Sequence, residues 1–355
     1  MAQLSTPRLR AVLVLLASGV MGAQALAALP AVATTTSSYG FDSPDAAVLS
    51  GPDLFVANSA GKSVTEVSAS TGALVRILSG AAYHFDDPVA LVALGGDVFV
   101  ASSKNNTVTE LAAATGDLVR TIISAKDLDD PVAMVTEGTS HLFVLDQGGS
   151  GAVTELSVST GKLVAMATGA GFGFDRPTAI TLSQDELFVP NSDGNSVTEI
   201  NATTMKLVRV ISASSYGFSG PTGVATHGGN VWVSNLTGES ITELQASNGA
   251  LVQVVTSDES YLPTPDAIAY GAGHVFVASP PGGSPMITQV VPENPAQLPW
   301  MMCNTNAPYT FSNPQALVTY GTTLWVVNEG GAGGPAGNSL TEMNADSGTL
   351  IKVVS

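Results

Sequence analysis

Charge is scarce in this chain. Only 12% of its 355 residues are Asp, Glu, Lys or Arg, and the basic ones are fewest, 12 against 29 acidic, for a net charge of −17. So few cations exclude nucleic acid and anionic membrane as partners, because both are gripped through Lys and Arg. Cysteine is nearly absent: Cys303 stands alone, which excludes an internal disulfide and leaves stability to packing. A chain of this length can bury a sizeable core. No apolar run reaches the roughly 20 residues that a membrane-spanning helix needs, so no transmembrane anchor is expected. Ala11 to Val20 is apolar but short, follows Arg8 and Arg10, and precedes the small-residue sites Ala23-Gln24-Ala25 and Ala25-Leu26-Ala27. That is the pattern of a cleaved secretory signal over residues 1–27, and it predicts a secreted protein with a short linker over 28–38. No cysteine follows the run, which argues against a lipid anchor. Helical periodicity is missing as well.

What the chain has in abundance is a repeat. Val64-Thr65-Glu66 returns as Val108-Thr109-Glu110, Val153-Thr154-Glu155, Val197-Thr198-Glu199 and Ile241-Thr242-Glu243, then as Ile287-Thr288-Gln289 and Leu340-Thr341-Glu342. Each copy holds four short apolar runs separated by Gly, Asn, Asp or Pro, the content of one four-stranded propeller blade. The fold predicted is all-β, a seven-bladed propeller over 39–355 with blades at about 39–80, 81–124, 125–168, 169–213, 214–257, 258–304 and 305–355. Strands are lettered A to D from the axis outward. Every blade is contiguous in sequence, so the first and last need not exchange a strand.

Repeat positions acquire physical reasons in this frame. Two residues after the Pro that opens strand A stand Ala46, Ala90, Ala133, Ala179, Gly223, Ala267 and Ala316, small because seven strands converge on one channel. Strand B carries one large ring per blade, Phe55, Phe99, Phe143, Phe188, Trp232, Phe276 and Trp325, to wedge neighbouring sheets together. The recurrent Glu faces a basic residue across the C–D hairpin, as in Glu66 with Arg76, Glu110 with Arg120, Glu199 with Arg209 and Glu342 with Lys352. This reads as a cross-strand ion pair, not a catalytic acid. Glu155 meets only Ala165, and Glu243 meets Gln253. Strand B ends on Asn58, Ser102, Asp146, Asn191, Asn235, Ser279 or Asn328, which can hydrogen-bond the backbone of the following loop.

The phrases Leu54-Phe55-Val56-Ala57-Asn58 and Leu187-Phe188-Val189-Pro190-Asn191, each with its downstream Ser-Val-Thr-Glu, resemble the YVTN-type repeats of bacterial β-propellers. That group borders on the NHL and streptogramin-lyase-like propellers. The resemblance covers nearly all of the mature chain and implies the fold; such propellers include enzymes, binding modules and surface proteins.

Loops before strand A and between B and C should share the channel-mouth face. There Asp42, Asp86, Asp129 and Asp175 recur in blades one to four, and Glu329 opens an insertion, Glu329 to Gly337, in blade seven. These five are the candidate ligand-binding residues; the same Asp positions also suit the capping of each turn before its Pro. Clustered carboxylates could hold Ca²⁺ or Mg²⁺, although no cofactor is required and no metal is assigned. His84 lies on the same face, while His141, His227 and His274 flank strand B on the opposite one and read as surface or turn residues, without ligand spacing. A lyase of the resembled type implies a His and Glu pair beside a metal at the mouth, and no such phrase occurs. No Gly-x-Ser-x-Gly elbow or phosphate loop occurs either, and no catalytic residue is assigned. Trp300-Met301-Met302-Cys303 reads either as a hydrophobic contact patch or as an eroded strand D. The function expected is a non-enzymatic binding or interaction scaffold acting through the channel-mouth face. Its partner would be an extracellular protein, glycan or small molecule, and the protein is expected to be monomeric. A metal-assisted lyase or hydrolase is the alternative, and an inert surface or matrix protein is a third reading.

Overall fold

The computed structural model describes residues 39–123, 126–256, 262–280, 285–292, 301–303, 311–330 and 337–355. Residues 1–38, read from sequence as signal and linker, and Trp300 lie outside them. The described residues form seven four-stranded antiparallel sheets in a seven-bladed propeller, with only three-residue 3₁₀ turns as helix. Blade one runs Pro44–Ser50, Asp53–Asn58, Ser63–Ser68 and Leu74–Ser79, and blade seven Pro314–Tyr320, Thr323–Asn328, Ser339–Asn344 and Leu350–Val354. Each sheet is contiguous, so no strand is exchanged. Strand A of each blade packs beside strand A of the next, and the last returns to the first. Met301–Cys303 pairs with Met286–Thr288, which makes it strand D of blade six.

The core lies between blades. All seven strand-B rings are fully buried, and the seventh, Trp325, packs with Leu54, Val56 and Val67 of blade one to close the ring. Small residues on strand A follow from crowding. At Gly223 a Cβ would come within 2.4 Å of the Asp266 carbonyl oxygen and 2.8 Å of the Ser234 hydroxyl, so even Ala is too large there. Before strand A a Tyr-x-Phe segment bends through a left-handed central residue, which stacks its two rings, as in Tyr39 with Phe41 at 5.5 Å. His84, with φ at 55°, holds this central place in blade two, where other blades use Gly40, Gly173 and Gly217.

The recurrent Glu is more deeply placed than a hairpin surface pair requires. Glu66 is fully buried, as are its counterparts to within 4% exposure, and burial pushes Glu66 and Glu199 up to about 7 against the pull of their arginines. The basic partner also reaches beyond its own blade. Arg76 donates to the Ala114 carbonyl at 3.0 Å, Arg120 to Ser159 at 3.0 Å, Arg209 to Asn248, and Lys352 to Ser70 at 3.1 Å. Each acceptor lies on the C–D turn of the following blade, and Lys352 spans the closure from blade seven to blade one. Blades that lack the Arg compensate. In blade three His141 bonds Glu155 at 2.6 Å, so it is a partner of the buried carboxylate and not merely a turn residue. In blade five Asn230 and Gln253 serve Glu243 at 2.7 and 2.6 Å. In blade six the substitution of Gln289 for Glu turns an acceptor into a donor, and its amide reaches Ala345 of blade seven at 3.0 Å.

Candidate binding face around the channel

The mouth is built from two loops per blade, clipped together by backbone bonds. In blade one the amides of Ser59 and Gly61 donate to the carbonyls of Ser43 and Asp42; in blade two Ser103 and Lys104 donate to Asp87 and Asp86. Blades three, four, five and seven repeat the clip, the last through Glu329 N–H to Asn313 at 2.9 Å. The face is therefore a rigid scaffold whose side chains vary.

Four of the five candidate residues stand two places before the Pro of strand A in blades one to four. Asp42, Asp129 and Asp175 are exposed and lie over Gly61, Gly148 and Gly194 of their own loops. Asp86 pairs with Lys62 of blade one at 2.7 Å. The fifth, Glu329, accepts from Asn313 at 2.9 Å and from Gln315 at 3.0 Å. It lies near carboxylates that are close to the proposed ones in sequence. Burial first, then repulsion from Glu329 and Asp87, pushes Asp45 up to about 6 against a bond from Ser59. Asp130 is raised by burial and then by Asp129 and Asp87. Glu329, Asp45, Asp87 and Asp130 thus form an acidic arc across blades seven, one, two and three. Its bases are peripheral: Lys104 approaches Asp87 at 3.4 Å and is 65% exposed. The sequence signal for these residues was their place immediately before or after the Pro of strand A, or at the first position of the B–C loop.

Under the arc, the last residue of strand B ties the sheet to its loops. Its bonds run mainly to strand-C hydroxyls, less to loop backbone: Asn58 donates to Thr65 at 3.0 Å, Asn191 to Thr198 at 2.9 Å and Asn235 to Thr242 at 2.9 Å. Each Thr then donates to a carbonyl of the incoming loop, Tyr39, Phe172 or Tyr216. Blade three has Asp146 in this place. Thr154 lies 2.8 Å from the Asp127 carbonyl and 2.9 Å from Asp146, yet a hydroxyl has one proton. Thr154 donates to an ionised Asp146, whereas a protonated Asp146 can donate to Thr154 as Asn does and free its proton for the Asp127 carbonyl. Burial pushes its carboxyl up to about 7, opposed by bonds from Thr154 and the Asp129 amide.

The histidines do not converge. His84 has the turn role described above, and its carbonyl accepts from Asn105 at 2.6 Å. On the opposite face His227 stacks on Tyr270 at 3.5 Å, and His274 lies 3.9 Å from Asp346. Among the described residues no group of three or more His, Cys, Asp and Glu side chains is placed to hold a metal.

Two cavities complete the face. One of about 420 Å³ lies between the loops of blades four and five, lined by Arg176, Asp193, Thr178 and Thr222 among others. A second, of about 280 Å³, lies in the channel wall of blades four to seven and shares Thr178 and Thr222 with the first.

Comparison with protein families finds no match, and neither does comparison with curated proteins. Solved structures resemble the fold. They include a streptogramin B lyase, 17% identical with a TM-score of 0.64, covering 81% of this chain and 91% of that one. They also include a functionally unknown protein from Desulfotomaculum acetoxidans DSM 771, 14% identical with a TM-score of 0.66, covering 86% and 96%. At these identities the likeness establishes the propeller and no more.

Proposed function

We propose that this protein is a secreted, non-enzymatic binding propeller that recognises a cationic protein segment through the channel-mouth face. The observation that carries the reading is the arc of Glu329, Asp45, Asp87 and Asp130, in which unlike blades bring like charges together on a rigid face. Repulsion from neighbouring carboxylates adds to burial in raising the proton affinity of Asp45 and Asp130, and an incoming cation relieves it, so the arc is complementary to Lys or Arg side chains. Asp42, Asp86, Asp129 and Asp175 form the outer margin of the same surface and steer the partner at longer range. The repeat phrases shared with YVTN-type propellers agree with an extracellular scaffold.

Fluorescence anisotropy with a labelled tetralysine peptide tests the proposal. Binding should be saturable and should weaken as salt rises. It should fall at least tenfold in an Asp45→Asn/Asp87→Asn/Glu329→Gln variant that keeps its melting temperature. Equal binding by the two proteins would overturn the assignment.

A further inference from the structure

The channel-wall cavity uses none of the arc's carboxylates. Four of its side chains come from one repeat position, the residue after the Pro of strand A: Thr178, Thr222, Asp266 and Gln315 on successive blades four to seven. Blades two and three have Val89 and Val132 at that position and blade one has Asp45 of the arc, so the residues that line the cavity come from blades four to seven alone.

Hydrogen-bond accounting gives this lining a single chemical character. The Thr178 hydroxyl donates to the Thr222 carbonyl at 2.8 Å, and the Thr222 hydroxyl is engaged by Asp266. The Gln315 amide nitrogen is drawn to Glu329 at 3.0 Å. The two hydroxyl protons and one of the two Gln315 amide protons are thus committed to protein, and the wall offers a ligand mainly oxygen: two hydroxyl lone-pair sites, an amide carbonyl and one carboxyl. The rest of the wall is aliphatic, including Ala267, Ile268, Ala316 and Leu317. An acceptor-rich polar patch beside an apolar wall fits a ligand with several donors, one positive charge and a short hydrocarbon stem. A single carboxylate suits a monovalent ammonium better than Ca²⁺, which takes six to eight oxygens and commonly several carboxylates. Burial raises the proton affinity of Asp266, and an ammonium in contact would restore its charge.

We infer that this cavity is a binding site for a primary alkylammonium, with Asp266 as counter-ion and Thr178, Thr222 and Gln315 as acceptors. The inference rests on reading the channel as a binding device, but on different residues from the arc. Two sources could supply the group: a free small amine, or a lysine side chain reaching down from a partner, since the cavity adjoins the groove between blades four and five.

Calorimetric titration of the mature protein with n-butylammonium chloride tests it, with n-butanol as the neutral probe. The expected result is saturable binding of the ammonium, none of the alcohol, and at least tenfold weaker binding by Asp266→Asn. Ala316→Val, which narrows the cavity without touching a polar group, should also weaken binding. Circular dichroism of both variants establishes that they are folded. No saturable binding by the wild type, or undiminished binding by a folded Asp266→Asn, would overturn the site. A parallel arm compares n-butylammonium with N-acetyl-lysine amide: tighter binding of the lysine derivative identifies a polypeptide source, and tighter binding of the simple amine a free one. An Asp87→Asn/Asp130→Asn variant, which weakens the arc but leaves Glu329 to hold Gln315, should bind n-butylammonium within threefold of wild type. Failure of the arc to bind tetralysine is therefore separable from failure of this site.

Discussion

At the scale of single residues, the repeat reads as a set of rules whose exceptions explain one another. Asp146 stands where Asn stands in four other blades, and in its protonated form it can donate to Thr154 as those Asn side chains do to their own Thr. Its folded proton affinity is raised from 3.8 to about 7. Its contribution to stability is therefore present at low pH and lost as pH rises through about 7. Asp146→Asn supplies the donor permanently. We expect the variant to be more stable than wild type at pH 8 by about 1–3 kcal/mol, the cost of an unsatisfied buried group, with little gain at pH 5. Denaturant unfolding at the two pH values checks this; equal gains at both would show that protonation is not the cause. The ring positions on strand B and the small residues on strand A were legible in the sequence because each recurs at one place in every blade. The role of His141 was not, because its partner Glu155 is reached across the sheet from strand B, not along the C–D hairpin.

At the scale of elements, the junctions between blades carry the argument. The C–D turn usually has Gly, as at Gly116, where a Cβ would meet Leu78 at 2.7 Å and Arg76 at 3.0 Å of the blade before. Blade four has Met205 there, with φ at 52°. It packs into the cluster that includes Ala165 and Ala167 of blade three. Blade three lacks the Arg, and the methionine fills the space that a guanidinium occupies elsewhere. Met205→Gly should cost about 2–5 kcal/mol through the cavity it leaves, less the relief of an unfavourable backbone. Ala165→Arg alone should cost about 1–3 kcal/mol by overpacking. The double variant should lose less than the sum, with a coupling of about 0.5–3 kcal/mol. A double-mutant cycle by chemical denaturation checks it; strict additivity would mean that the two positions do not compensate. Both departures were visible in the sequence, but their connection was not, since it links one blade's strand to the next blade's turn.

At the scale of the whole molecule, acidic groups dominate twice, in the buried Glu ladder and around the channel. Glu66, Glu199 and Asp146 are raised to about 7 and Asp45 to about 6, while Glu110, Glu342, Asp130 and Asp266 are raised as well. In every case burial is the largest cause. Each folded-state affinity lies above the ordinary value of 3.8 or 4.5, so the folded ring binds more protons than the unfolded chain. Stability should therefore rise as pH falls from about 8 towards about 5, and calorimetry should give a higher melting temperature at pH 5. A flat or opposite profile would contradict the burial of these groups. The whole ring was legible because seven copies of one pattern leave few alternatives. The location of the acidic arc was legible only in part. Sequence singled out Glu329 and the Asp two places before Pro, whereas the mutually repelling Asp45, Asp87 and Asp130 stand on either side of that Pro.

Hydrogen–deuterium exchange of the mature protein with and without saturating tetralysine tests most directly whether the channel mouth is the working surface. The account predicts added protection in the loops before strand A and between strands B and C of blades seven, one, two and three, around Asp45, Asp87, Asp130 and Glu329. Protection confined to the A–B and C–D turns of the opposite face, or to the outer D strands, would contradict it.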